Sequence, residues 1–124
     1  MELHLDRNDS RTIGFVVTCL FNEAIELQDL HAWADEVLRS GAAHPDYILE
    51  LAVFKGPLKD IFKVIGFAPD SELSKSQEKA ISGIAYARGV TPYEKSPSKE
   101  AALAALERHP EIMHRFREMF PFLR

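Results

Sequence analysis

Cysteine occurs once in this chain of 124 residues, at Cys19, so neither an internal disulfide nor a Cys-rich metal site can hold the fold. Inside the apolar run 13–21 the thiol reads as a small buried hydrophobe, not a nucleophile. That run is far short of the roughly 18 residues a membrane span needs. Residues 2–10 carry no basic, signal-like segment, and a cytoplasmic location is expected. Glycine is scarce too, with six residues, and no Gly-rich run precedes a helix in the spacing that cradles phosphates. Nucleotide chemistry is not expected. Positive charge is thin where it matters most: residues 1–54 hold three Arg or Lys against ten Asp or Glu, and residues 55–124 hold twelve against nine. The halves therefore carry about −7 and +3 by this count. Phosphate binding needs clustered cations that release counterions, so the acidic half argues against direct nucleic-acid affinity and suits a basic protein partner.

What is present is helical. The length supports one core without disulfide or metal, and the reading is all-α: a single compact domain, residues 1–124, of six or seven short helices. Asp9 and Ser10 are N-cap candidates for a helix over 11–25, in which Ile13, Val16, Val17, Leu20, Phe21 and Ala24 recur at helical spacing. The β-branched content of 12–20 makes a strand the competing reading, and the continuation of the 3.6 period past Asn22 favours helix. Over 27–40, Leu30, Trp33, Ala34, Val37 and Leu38 share one face, while Gln28, Asp35, Glu36 and Arg39 share the other. Trp33 is the only tryptophan and reads as core. Gly41 supplies the left-handed stop. Pro45 then opens a third helix at its N1 position, with Asp46, Glu50 and Val53 on one face and Tyr47, Ile48, Leu51 and Ala52 pointing elsewhere.

A short helix is expected over 58–65, with Leu58, Ile61, Phe62 and Ile65 inward and Lys59 and Lys63 outward, ended by Gly66. Ser74-Lys-Ser-Gln77 reads as a capping box for a helix to about Arg88, closed by Gly89, and Gly83 within it marks a close helix contact. Residues 90–98, with two prolines, read as an ordered surface loop. Helices follow over 99–108 and from Pro110 through Phe120, the last with an apolar stripe of Ile112, Met113, Phe116 and Phe120.

Chemical motifs are few. Glu111-x-x-His114 has the spacing of a di-iron ligand pair, but such sites need a second pair on a facing helix. His4, His31, His44 and His109 show no metal-ligand spacing, and no Ser or Cys sits in a nucleophile motif. No catalytic residue, metal or cofactor is expected. Ala85-Tyr-Ala-Arg-Gly89-Val-Thr-Pro resembles the turn of a DNA-binding helix-turn-helix, yet a recognition helix over 91–103 would contain Pro97 and place Lys95 where an apolar residue belongs.

The acidic residues Glu23, Glu26, Asp29, Asp35, Glu36, Asp46 and Glu50 fall within one 28-residue stretch, with Arg39 its only Arg or Lys. In the same stretch, Trp33-Ala-Asp35 followed by Val37-Leu38, and then Pro45-x-Tyr47-Ile48-Leu49-x-Leu51, resembles the helical core of small immunity proteins from bacterial contact-dependent growth inhibition and related polymorphic toxin systems. The resemblance implies a toxin inhibitor in the cytoplasm that acts by protein–protein interaction. It would occlude the active site of a cognate toxin C-terminal domain, often a basic nuclease, and would turn over no substrate. Its partner-binding surface is expected to include Asp35, Glu36, Asp46 and Glu50, with Tyr47 and Phe54 as candidate anchors. The competing class is a helical protein-binding adaptor or DNA-binding transcriptional regulator, working through a basic loop around Lys95, Lys99 and Arg108.

Overall fold

The structure is a computed structural model that describes residues 2–93 and 97–123. The chain is all-α, with seven α-helices and no strand among the described residues: α1 (Arg11–Phe21), α2 (Leu27–Ser40), α3 (Tyr47–Ala52), α4 (Ile61–Ile65), α5 (Lys75–Ala87), α6 (Lys99–Arg108) and α7 (Pro110–Met119). A 3₁₀ turn, Leu58–Asp60, leads into α4. Two compact units divide the chain: residues 1–17 with 26–72, and residues 18–25 with 73–124.

In the first unit, α2 buries Leu30, Trp33, Ala34 and Val37, and exposes Gln28, Asp35, Glu36 and Arg39, as its periodicity predicts, while Leu38, at the edge of the stripe, is half-buried. Gly41 ends it at φ 74°. Asp29 is buried with it, because its carboxylate accepts the Glu26 backbone N–H at 2.8 Å and completes the helix start. The third helix begins two residues later than Pro45 suggests, since the Pro45 carbonyl only accepts the first turn's Ile48 N–H at 3.2 Å. It packs on α2 through Tyr47, Ile48 and Leu51.

The residues before α1 behave differently from the expectation. Ser10 does not cap the helix; its hydroxyl accepts the Asp70 N–H at 2.8 Å. The first helical amides, of Thr12 and Ile13, reach instead to the His4 carbonyl at 3.0 and 3.4 Å, and His4 N–H returns a bond to Thr12 Oγ1 at 2.8 Å. Beside this lacing, Gly14 meets the 70–71 backbone so closely that a Cβ there would lie 2.5 Å from Ser71 N. Nothing in the local sequence signals this approach. The 58–65 segment is also corrected: Ile61 and Ile65 are buried, but Leu58 and Phe62 are exposed, because a 3₁₀ turn precedes the short helix and shifts the apolar register.

In the second unit α1 ends at Phe21, four residues before its apolar period does. Glu23 takes φ 62°, its N–H bonds the Leu20 carbonyl, and the Ala24 N–H reaches back to Cys19 O at 2.9 Å. This is a Schellman closure with a glutamate in the place glycine usually fills. The Glu23 carboxylate also accepts the Tyr93 N–H at 2.7 Å, so one residue both ends the helix and holds a distant loop. Cys19 is buried, and burial pushes its thiol well above the ordinary range, which removes it as a nucleophile.

The capping box at Ser74 forms in both directions: Gln77 N–H donates to Ser74 Oγ at 3.1 Å, and Ser74 N–H donates to Gln77 Oε1 at 2.9 Å. Gly83 lets α5 and α6 touch backbone to backbone, since a Cβ there would lie 2.4 Å from the Ala102 carbonyl oxygen. Ser98 caps α6 by accepting the Ala101 N–H at 3.2 Å. On α7, Ile112, Phe116 and Met119 are buried, and Phe116 packs on Phe120 with ring centroids 5.0 Å apart. The second helix of a helix-turn-helix is not formed: after Gly89 the described chain stays non-helical until Lys99.

Candidate functional site

Four of the acidic residues in the 23–50 stretch stand on the outer side of the first unit. Asp35 and Glu36 are exposed on α2, and Asp46, at the N-cap of α3, and Glu50, within it, are exposed four residues apart and therefore on one side of that helix. Only Asp35 has a cation nearby, Arg39 Nη2 at 3.9 Å one turn along α2. Among the described residues, Glu36, Asp46 and Glu50 have no ion-pair partner. Their helices are packed together, so the carboxylates decorate adjoining elements of one unit. The other three acids of the stretch have internal duties: Glu23 holds Tyr93 N–H, Asp29 is buried at the start of α2, and Glu26 accepts from Gln28 Nε2 at 3.0 Å.

Neither aromatic anchor candidate is available to a partner. Tyr47 is 6% exposed, its hydroxyl donates to the Leu5 carbonyl at 2.6 Å, and its ring meets Phe67 edge-on at 6.1 Å; Phe54 is buried as well. Tyr47 is turned inward in the first turn of α3, and Phe54 follows the helix with its carbonyl partnered by the His31 ring. Their places are taken by side chains the sequence did not single out as anchors. Leu49 is 62% exposed and Val53 68% exposed, beside Glu50 on the outer side of α3. Leu49 was read as part of a packing motif, and the signal that it faces out is its position three residues from Asp46 and four from Val53.

Burial raises the Tyr47 hydroxyl well above the phenol's ordinary value of 10.0, with the negative charge of Asp6 adding to it. The sign follows directly: the folded state holds the proton more tightly than the unfolded chain, so this contribution is complete below pH 10 and is lost as pH rises above it. Tyr47→Phe leaves a carbonyl unpartnered and should cost about 1–3 kcal/mol by urea denaturation at neutral pH. The same variant should blunt the loss of stability above pH 10. Equal stability of the two proteins at neutral pH would show that the hydroxyl makes no effective bond.

No family model, curated protein or solved structure matches this chain.

Among the described residues no three or more His, Cys, Asp or Glu side chains converge as metal ligands would. No described helix is long and apolar enough to cross a membrane. His4 Nδ1 lies 2.7 Å from Asp9 Oδ2, with the Arg11 guanidinium bonded to the same carboxyl and holding it below the usual range. The neighbouring Ser10 hydroxyl is engaged with Asp70 and is no nucleophile for this pair. A second chain of contacts, Ser76 Oγ to His109 Nε2 at 2.8 Å and His109 Nδ1 to Glu111 Oε2 at 3.0 Å, has the connectivity of a catalytic triad. Its surroundings are those of a helix junction. Gln77 N–H, next to the serine, is held by Ser74 Oγ, and Gln77 Nε2 donates to Glu111 at 3.3 Å. The network ties the first turn of α5 to the start of α7, and the open groove of about 700 Å³ along α6 and α7 includes none of the three residues. His114 of the Glu-x-x-His pair contacts Glu118 instead of Glu111. Of the basic loop named for the competing class, Lys99 and Arg108 are exposed and Lys95 lies outside the described residues.

Proposed function

We propose that this chain is a stoichiometric inhibitor of a basic protein, in the manner of the immunity proteins its α2–α3 segment resembles, and that Asp35, Glu36, Asp46 and Glu50 form the face that meets its partner. The observation that carries this reading is the exposed α3 edge, where carboxylates without cations flank Leu49 and Val53. Tight protein recognition combines an apolar anchor that excludes water with charges that steer the encounter. Leu49 and Val53 supply the first and the four carboxylates the second. A nuclease toxin suits such a surface, because a cleft built to hold phosphates is lined by Lys and Arg and accepts carboxylates in their place.

The first measurement is whether the reading frame next to this chain's own encodes a large secreted protein with a C-terminal toxin domain, and the second uses that domain. Coexpression of the chain should relieve growth arrest by that domain. Reversing Glu36 and Glu50 to Lys should slow association about tenfold or more at low salt and flatten its salt dependence, with the thermal melt unchanged. An unaltered association rate measured by stopped-flow would remove the acidic face from the reading. Failure of the wild-type chain to protect would remove the reading itself.

A further inference from the structure

A partly enclosed cavity of about 180 Å³ lies within the second unit, where the end of α1, α5 and the loop after α5 meet. Phe21, Pro92 and Pro97 give its wall carbon surface, and Asn22, Glu23, Ser82 and Tyr86 give it polar atoms. The polar groups are held in place. Ser82, only 5% exposed, donates from Oγ to Asn22 Oδ1 at 3.1 Å, and Asn22 Nδ2 donates to the Thr18 carbonyl at 2.8 Å. The Tyr86 hydroxyl donates to the Pro97 carbonyl at 3.3 Å, and Glu23 Oε2 accepts the Tyr93 N–H at 2.7 Å. These last two bonds fix the loop against α5 and the end of α1.

What those bonds leave over defines the ligand. Both hydroxyl protons are engaged, so the Ser82 and Tyr86 oxygens can only accept, as the Glu23 carboxylate does, and Asn22 alone keeps a hydrogen to donate. Among the described residues Glu23 has no ion-pair partner. Arg88, two residues past Tyr86, donates to the Ala24 carbonyl, lies 5.8 Å from the Phe116 ring centroid and forms no part of the wall. An anion would therefore meet an uncompensated carboxylate. A metal ion would find that carboxylate without companion ligands among the described residues. A ligand that brings hydrogen-bond donors, one positive charge and a short apolar body matches every part of the wall. At about 30 Å³ for each water-sized group, the space suits about six non-hydrogen atoms. We propose that this cavity binds a primary alkylammonium group, free or at the end of a lysine side chain, with its charge paired to the Glu23 carboxylate and its alkyl chain against Phe21, Pro92 and Pro97.

The backbone at Glu23 agrees with a role for its side chain. At φ 62° glycine would end α1 at less cost, but it would leave the cavity without its charge. None of Asp35, Glu36, Asp46 and Glu50 lines this cavity, so the site stands apart from the toxin reading.

Two-dimensional amide spectra of the full chain, titrated with n-butylammonium chloride, test the proposal. Sodium chloride at equal concentration is the control, and n-butanol is the neutral ligand of the same shape. Butylammonium should saturate in the millimolar range and shift the amides of Asn22, Glu23, Ser82, Tyr86 and Tyr93 together, whereas n-butanol should bind about tenfold more weakly or less. Glu23→Gln keeps an oxygen for the Tyr93 N–H and removes the charge, so it should weaken butylammonium about tenfold or more and leave n-butanol unchanged. Nα-acetyl-lysine amide separates the two sources: binding as tight as butylammonium supports a lysine side chain, and weaker binding supports a free amine. Circular dichroism checks that the variant keeps its helices; should it lose them, butylammonium against n-butanol on the wild-type chain decides. No saturable shift beyond that of sodium chloride, shifts centred on other residues, equal binding of butylammonium and n-butanol, or unchanged affinity in folded Glu23→Gln would each overturn the proposal.

Discussion

Replacing Trp33 with alanine should lower the stability of the chain by about 3–5 kcal/mol, read as a fall in the urea midpoint at unchanged slope. The indole is 3% exposed, on the side of α2 that also buries Leu30, Ala34 and Val37. Truncation there removes the largest side chain of that stripe and leaves a space its helical neighbours cannot close without moving backbone. Domains of this size are stable by only about 5–15 kcal/mol, so the loss is a large fraction of the margin. A cost below about 1 kcal/mol would mean that Trp33 is not held in a packed interior.

Gly83→Ala should be destabilising even though alanine is the better helix former by about 1 kcal/mol. The added methyl would stand 2.4 Å from the Ala102 carbonyl oxygen and 3.0 Å from both the Ala102 carbonyl carbon and Leu106 Cβ. The nearest obstacle is main chain, which cannot rotate away as a side-chain tip can, so α5 and α6 must separate along their contact. Overpacking of this kind outweighs the propensity gain, for a net loss of about 2 kcal/mol. The melting temperature should fall by about 8 °C, at roughly 4 °C per kcal/mol for a chain of this length. A rise in melting temperature would show that the two helices do not meet at this point.

The parts of the fold that could be read from the residues are those fixed by neighbours in sequence. The α2 stripe, the Gly41 stop, the Ser74 capping box and the bounds of α6 depend on side chains within a few positions of one another, and all are found where expected. Gly83 was legible for a related reason, since a glycine inside an otherwise good helix needs a packing explanation. The misread positions depend on distant chain. Ser10 looks like a cap until Asp70 arrives to bond it, and α1 looks longer until Glu23 closes it. Tyr47 and Phe54 could not be told from anchors because amphipathic periodicity in a six-residue helix leaves the buried side ambiguous. For the proposed site, the carboxylates and Val53, which shares a face with Asp46 and Glu50, were legible as lying away from the core side, whereas Leu49 was not, because it breaks the rule that large aliphatic side chains turn inward.

The polar junction between Ser76, Gln77, His109 and Glu111 bears on how the second unit opens. It bonds the first turn of α5 to the first turn of α7, and Gly83 against Ala102 locks the beginning of α6 onto the middle of α5. α6 is thus held at its start by a backbone contact and at its end by His109, and neither end can fray without losing a contact to another helix. Amide protons along α5, α6 and α7 should therefore exchange through one shared opening and not helix by helix, as expected of a single cooperative unit of local unfolding.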